Sequence, residues 1–272
     1  MAHCGPNVER GMRVFNCERR NVRAAKFVAE PDRVIRIESL TLAVSPGPWL
    51  YADQYRDGIE AHWKLATAAN PSFFNGVIHV IDRIDVSETH VAARLIATDF
   101  KSFLYWRDEG FPAEGDVRDG FGSALIRSAE GHILLGRQRP GNINAGLAYL
   151  PGGFIDSRDA GTEGVVDIAA SVERELREET GLGFDDLKAE PGFIVTLTGA
   201  QVSFAVAYNS ALGADELAAK VHAHIAAEAE PELAEMVIVR GVEDLRGLAM
   251  PHYARVLLNS PLAWGSTCPA MP

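Results

Sequence analysis

Three glutamates, Glu175, Glu178 and Glu179, stand three and four residues apart in the run Arg174-Glu175-Leu176-Arg177-Glu178-Glu179-Thr180-Gly181-Leu182. Like charges at those spacings repel, and burial raises the cost. Such a group offers hard oxygen donors to a divalent cation, and a cation is what relieves the repulsion. The residue types and spacing therefore point first to a metal site.

The element that must carry these acids reads as an amphipathic helix starting near Asp167, a good N-cap, and closing at Gly181, a good residue just past a helix end. Ile168, Val172 and Leu176 recur at i, i+4 and i+8 and form one apolar stripe. At roughly 100° per residue, Glu175 and Glu179 fall close to that stripe, with Glu178 beside them. The acids thus lie at the edge of a buried face, near the helix end that disfavours anions. A solvated charged face, the ordinary reading of Glu-Leu-Arg-Glu-Glu, does not place Glu175 inward.

The chain has 272 residues, 47% apolar and 23% charged, and a formal net charge of −11. That length holds one large or two modest domains. The acidic balance argues against general binding to nucleic acid or anionic membranes, while a local basic pocket for a small anion stays open. Cys4, Cys17 and Cys268 form neither a disulfide framework nor a zinc spacing, which suits a reducing cytoplasm. No apolar run is long enough to span a membrane. Residues 1–23 lack the continuous apolar segment of a secretory signal; their arginines leave a transit peptide as the lesser alternative.

In chain order, residues 1–30 read as a polar tail. Val34 to Val44 reads as strand material ended by Ser45-Pro46-Gly47-Pro48, and Asp53 to Ala69 as a helix ended by Asn70-Pro71. Val77–Ile84 and His90–Ala97 make a hairpin pair, and Thr98 to Trp106 a short helix or turn. Arg107 to Gly120, with three Gly and a Pro among many charges, holds the domain boundary. Strands follow at Phe121–Arg127, His132–Gly136 and Leu147–Leu150, the last broken by Pro151-Gly152-Gly153. Beyond the acid helix come strands at Phe193–Leu197 and Val202–Tyr208, a helix at Ala214–Glu228, a strand at Met236–Val239 and a helix at Tyr253–Asn259. This order predicts an α/β chain of the α+β type, a mixed sheet between helices. The expected division is a tail at 1–30, a smaller α+β domain at 31–117, a second domain at 118–263 and a tail at 264–272.

With Gly152-Gly153 upstream, the matching positions Arg174, Glu175, Leu176, Glu178, Glu179, Gly181 and Leu182 resemble the signature of the Nudix hydrolases, over roughly Arg118 to Ala263. One departure stands out. Twenty residues separate Gly153 from Arg174, more than the family's usual interval, so the loop around Ser157 to Val166 is lengthened. Counting back from Arg174, the first glutamate of the motif would fall on Val166, where it is absent, and Glu163 either stands in for it or does not. Asn70 to Gly76 and Thr98 to Phe103 are similar to the N-terminal region of Nudix proteins that cleave UDP-glucose and UDP-galactose.

The resemblance implies water attack on a nucleoside diphosphate linked to another moiety, such as a nucleotide sugar, with Mg²⁺, or Mn²⁺ in its place, held by Glu175, Glu178 and Glu179. Hard oxygen ligands suit Mg²⁺. Glu175 is either a ligand or the group that orients the water, and Arg174 fixes the glutamates by ion pairing. Gly152 and Gly153 are expected to approach metal and phosphate closely, and a later acid, Glu228, Glu230, Glu232 or Glu235, to join the site. Arg137 and Arg139 either grip phosphate or face solvent on their strand. Trp63, Phe73, Phe74, Phe103 and Trp106 are assigned to core packing ahead of base stacking, Asp99 to a helix cap, and His222 and His224 to an exposed helix face. ADP-ribose or dinucleotide cleavage, and an idle nucleotide-binding domain with a regulatory role, are the alternatives. The expected partner is a small nucleotide derivative, without nucleic acid or membrane, and a homodimer is compatible with the sequence.

Overall fold

The computed structural model describes residues 31–265; the tail at 1–30, all three cysteines and the residues after Gly265 lie outside them. Strands β1 (Arg33–Ile37) and β2 (Ser39–Val44) lead into helices α1 (Leu50–Gln54) and α2 (Arg56–Ala69). Strands β3 (Val77–Val86) and β4 (His90–Asp99) form the expected antiparallel pair, and α3 (Phe100–Asp108) follows. The second half runs β5 (Asp119–Arg127), β6 (Ile133–Gln138), β7 (Ala148–Tyr149), β8 (Val165–Val166) and α4 (Ile168–Thr180). It continues with β9 (Lys188–Ala189), β10 (Phe193–Thr198), β11 (Gln201–Asn209), α5 (Ala214–Ala227), β12 (Leu233–Val239) and α6 (His252–Leu258).

The larger sheet has the path β1-β10-β11-β5-β6-β12, with β7 on β6 and β9 on β11; the smaller has the order β3-β4-β2-β8. The mixed sheet between helices is as the sequence predicts. Successive residues of β5 serve its two faces: Ala124 and Ile126 join the core under α4 and α5, and Leu125 joins the core under α6.

The strand material at 33–44 divides between the two sheets. β1 pairs antiparallel with β10, while β2 pairs parallel with β4. In the other direction, β8 from the lengthened loop pairs with β2, setting Val166 opposite Leu42. Each sheet therefore takes a strand from the other half of the chain. Leu42, Ile81, Val91 and Leu95 of the smaller sheet share one buried cluster with Ala124, Val172, Leu176 and Phe204. A separate aromatic cluster, centred on Trp49, Phe103 and Trp106, is built by the first half, with Phe154 and Ala200 of the second half packed against it. Among the described residues no helix is long and apolar enough to cross a membrane.

A shared core couples the two halves energetically. Leu42→Ala, which empties a nearly fully buried site, is expected to cost about 2–5 kcal/mol. Urea unfolding followed by tryptophan fluorescence, which reports mainly on the first half, and by far-UV circular dichroism should shift together; separation of the two transitions would show that the halves unfold independently.

Candidate active site

Helix α4 positions the acids. Asp167 caps it by accepting from the Ala170 amide at 3.1 Å, and Gly181 closes it with φ +69°. Ile168, Val172 and Leu176 are buried, and the same stripe carries Glu179 inward, only 6% exposed. Glu175 is largely buried and Glu178 faces outward. From α5, the His224 Nε2–H donates to the Glu178 carbonyl at 2.9 Å, supplying a partner to the last turn.

The Pro-Gly-Gly segment closes over this helix. Gly152 has φ +154°, and a Cβ there would stand 2.2 Å from the Gly122 carbonyl oxygen. A Cβ on Gly153 would stand 2.8 Å from Glu175 Oε2. Both positions need glycine, the first for its backbone and the second for room. The Gly152 amide donates to the Glu179 carboxylate.

The electrostatics are those of a crowded anion set. Burial, and then the charges of Glu232, Glu175 and Glu178, push the Glu179 carboxyl well above its usual range, and the Gly152 amide opposes this only in part. Burial also raises Glu175 against the pull of Arg174, and it raises Glu232 with help from Glu178. Glu179 Oε2 is buried without a hydrogen-bond partner. A buried carboxylate oxygen with no donor is costly, and a cation is one way to satisfy it.

Arg174 spans two acids. Its Nη1 donates to Asp159 Oδ1 at 2.8 Å and its Nη2 to Glu175 Oε1 at 2.9 Å. The Asp159 side chain has no solvent exposure. The acid that counting back failed to find at Val166 is therefore at hand: counted forward from Gly153 by the same spacing, it falls on Asp159. The extra residues lie between Asp159 and the helix. Arg158 is held by Asp156 at 2.7 Å and reaches Glu175 Oε1 at 3.5 Å. With Glu175 drawn toward two arginines, no three His, Cys, Asp or Glu side chains among the described residues stand gathered as a ready-made metal cage.

A cavity of about 680 Å³ opens over the acids and is lined by Glu175, Glu179, Glu232, Gly152 and Gly153 together with residues of the first half. Of the later acids, Glu232 reaches this cavity; Glu235 pairs with Arg137 at 2.6 Å, and Glu228 lies 3.8 Å from His224. Arg137 and Arg139 are not among its lining residues; Gln138 between them is. Alternation along β6 accounts for this, and Arg139 donates instead to the Pro231 carbonyl at 2.8 Å. The cations on the wall are Arg107 and Arg158, neither of which stands in a motif that marks it in the sequence. Asp99 caps α3 by accepting from the Ser102 amide at 3.1 Å. Phe103 and Trp106 are core residues, and Trp63 stacks on Phe73. His222 is exposed as expected, whereas His224 is half-buried against Glu178.

Residues 117–235 match the NUDIX domain family, less than half of the chain. Similar solved structures include a Nudix hydrolase from M. smegmatis, RenU, at 18% identity over 57% of this chain and 90% of that one, TM-score 0.38. The MutT protein from Methanosarcina mazei Go1 is similar at 24% identity over 51% and 88%, TM-score 0.33. The NUDIX domain of Shewanella oneidensis NrtR, solved with ADP ribose, is similar at 17% identity over 52% and 84%, TM-score 0.33. No curated protein matches the chain. The domain match supports a hydrolase acting on pyrophosphate bonds.

The raised carboxyls fix a sign for pH dependence. A group whose folded pKa exceeds its unfolded value costs stability once pH rises above the unfolded pKa, and the cost is complete above the folded one. Glu179 should therefore weaken the metal-free fold increasingly as pH rises from the ordinary glutamate range. Glu179→Gln is expected to raise Tm at pH 8 in chelator, by about 2–4 °C per kcal/mol relieved, and to leave it little changed near pH 4. A drop in Tm at pH 8 would show that the buried charge is already compensated within the fold.

Proposed function

We propose that this chain, which carries a Nudix domain at 117–235, is a Mg²⁺-dependent pyrophosphohydrolase of nucleoside diphosphates linked to a second moiety. The observation that carries the reading is Glu179: a buried carboxylate with an unpartnered oxygen, pressed by three other acids at the wall of a large cavity. The donor set is all oxygen and suits a hard divalent cation. Glu175, Glu178, Glu179 and Glu232 would hold it, with Mn²⁺ as a substitute. When bound, the cation neutralises the diphosphate and acidifies the attacking water.

The chain's own groups do the rest. Arg174 positions Glu175 and is itself fixed by buried Asp159. Glu175, held in place by Arg174, would in its ionised form accept a proton from the water that attacks one phosphorus. The bond to the bridging oxygen breaks, and two phosphate-bearing halves leave. Gly152 and Gly153 let backbone approach where any side chain would collide. Arg158 reaches the same region and offers a charge to an entering phosphate.

The first half supports a substrate larger than a simple phosphate ester. Ser72, Phe73, Phe74, Phe100 and Phe103, from the two stretches similar to UDP-sugar hydrolases, line the cavity with the acids. A nucleotide sugar such as UDP-glucose is our specific reading. The two sheets would mark units at 31–117 and 118–263, joined by the exchanged strands. The acidic charge and sparse cysteines suit a cytoplasmic setting.

The test is hydrolysis of UDP-glucose, GDP-mannose, ADP-ribose and diadenosine polyphosphates with Mg²⁺ and with chelator. Turnover should require metal, be highest on a nucleotide sugar, and fall about 10²-fold in kcat for Glu179→Gln, with the fold intact by circular dichroism. Turnover in chelator, or wild-type kcat in the variant, would refute the reading.

A further inference from the structure

The later acid, Glu232, has no helix to place it. It stands immediately before β12, whose pairing with β6 shifts register between Leu233 and Glu235. Glu232 nevertheless lines the cavity; its charge bears on Glu179, and that of Glu178 bears on it. A carboxylate at the start of an irregular strand needs further ties if it is to meet a cation at a fixed place.

The ties come from residues 139–147, the loop between β6 and β7. The Arg139 amide donates to the Glu232 carbonyl at 3.1 Å, and Asn142 Nδ2 donates to the same oxygen at 3.1 Å. A carbonyl oxygen has two lone pairs, and both are taken. The amide group of Asn142 also donates to Gln138 Oε1 at 2.6 Å, and Gln138 is buried. Arg139 spends its Nη1 on the Pro231 carbonyl. The two carbonyls that precede β12 are thus both held from this loop.

The loop is in turn held by the first half. Arg107 Nη2, from α3, donates to the Ile143 carbonyl at 2.8 Å, and Asn70 Nδ2, at the end of α2, donates to the Gly141 carbonyl. Gly141, Asn142 and Ile143 line two cavities, the one over the acids and a smaller one of about 380 Å³ against α2 and α3. A segment with open space on both sides gains little from packing, so its hydrogen bonds set its position. It forms a strap from the first half to Glu232.

We propose that Asn142 and Arg107 are positioning residues for Glu232, holding its carboxylate where it shares a divalent cation with Glu179. This rests on the metal-dependent reading above and adds to it a dependence of the acid site on the first half of the chain. The role requires contact with neither substrate nor cation: Arg107 fixes the strap, and Asn142 fixes the backbone of the acid.

The experiment is titration of the full chain with Mn²⁺ alone, without substrate, followed by the paramagnetic resonance signal of the free ion. Glu232→Gln should weaken binding about tenfold, and Asn142→Ala and Arg107→Ala should each weaken it severalfold. Arg107→Lys, which keeps a donor for the Ile143 carbonyl, should recover most of the loss. In the Glu232→Gln background, Asn142→Ala should change the affinity by no more than about twofold, because its effect runs through the acid already removed. Wild-type affinity in Asn142→Ala or Arg107→Ala, or losses that add to that of Glu232→Gln, would overturn the strap. Asn142 is half-buried in a loop, so its variant decides the matter should Arg107→Ala fail to fold. Failure of the underlying reading looks different: unchanged affinity in both Glu179→Gln and Glu232→Gln would refute the metal site and the strap with it, whereas a loss in those two with none in Asn142→Ala refutes the strap alone.

Discussion

The structure turns on the burial of the Glu179 carboxylate in the apolar stripe of α4. Neither the helix nor its surroundings favour it. The last turn of a helix repels anions, Glu175, Glu178 and Glu232 add their charges, and one oxygen has no donor. What the fold provides is partial: one amide from Gly152 and, on the neighbouring Glu175, the guanidinium of Arg174. The remainder is a standing demand for positive charge, located where Pro-Gly-Gly brings bare backbone against the helix. We read the local architecture as serving that demand, with the capped start of α4, the glycines and the His224 contact holding the acids in place.

The lengthened loop belongs to the same arrangement. The Arg174–Asp159 ion pair anchors its first part to the helix. The His79 amide donates to the Ile155 carbonyl at 2.8 Å, and β8 pairs with β2. The extra residues are therefore tied to the smaller sheet, and the first half of the chain is structurally continuous with the acid site. The cavity follows from that continuity, since the acids and bare backbone of the second half and aromatic side chains of both halves line it together.

Much of this was legible in the sequence, for physical reasons that differ from residue to residue. Apolar periodicity and two good caps located α4 almost to the residue, because a helix reports its buried face every three to four positions. The inward turn of Glu179 followed from the same arithmetic. The division of residues 33–44 between two sheets was not legible: β1 and β2 are both short and apolar, and choice of partner is a tertiary matter. Two-residue strands such as β8 and β9 leave no periodic signal. Residue type alone points to Arg137 and Arg139, whereas strand alternation sends Gln138 to the cavity in their place. Counting back from Arg174 passes over Asp159 because extra residues interrupt the motif; counting forward from Gly153 reaches it. Glu232 could not be chosen among four glutamates, because the choice rests on where β12 begins beside the cavity.

The most direct measurement is calorimetric titration of Mn²⁺ into the substrate-free protein at pH 7, repeated in buffers of different ionisation enthalpy. A carboxyl whose proton affinity is raised by burial and neighbouring acids binds a cation in its ionised form, so any proton it carries is released on binding. The account predicts saturable binding with net proton release, both much reduced in Glu179→Gln. Binding without proton release that is equal in the two proteins would contradict it, as would no binding at all, and the burial of Glu179 would then need another explanation.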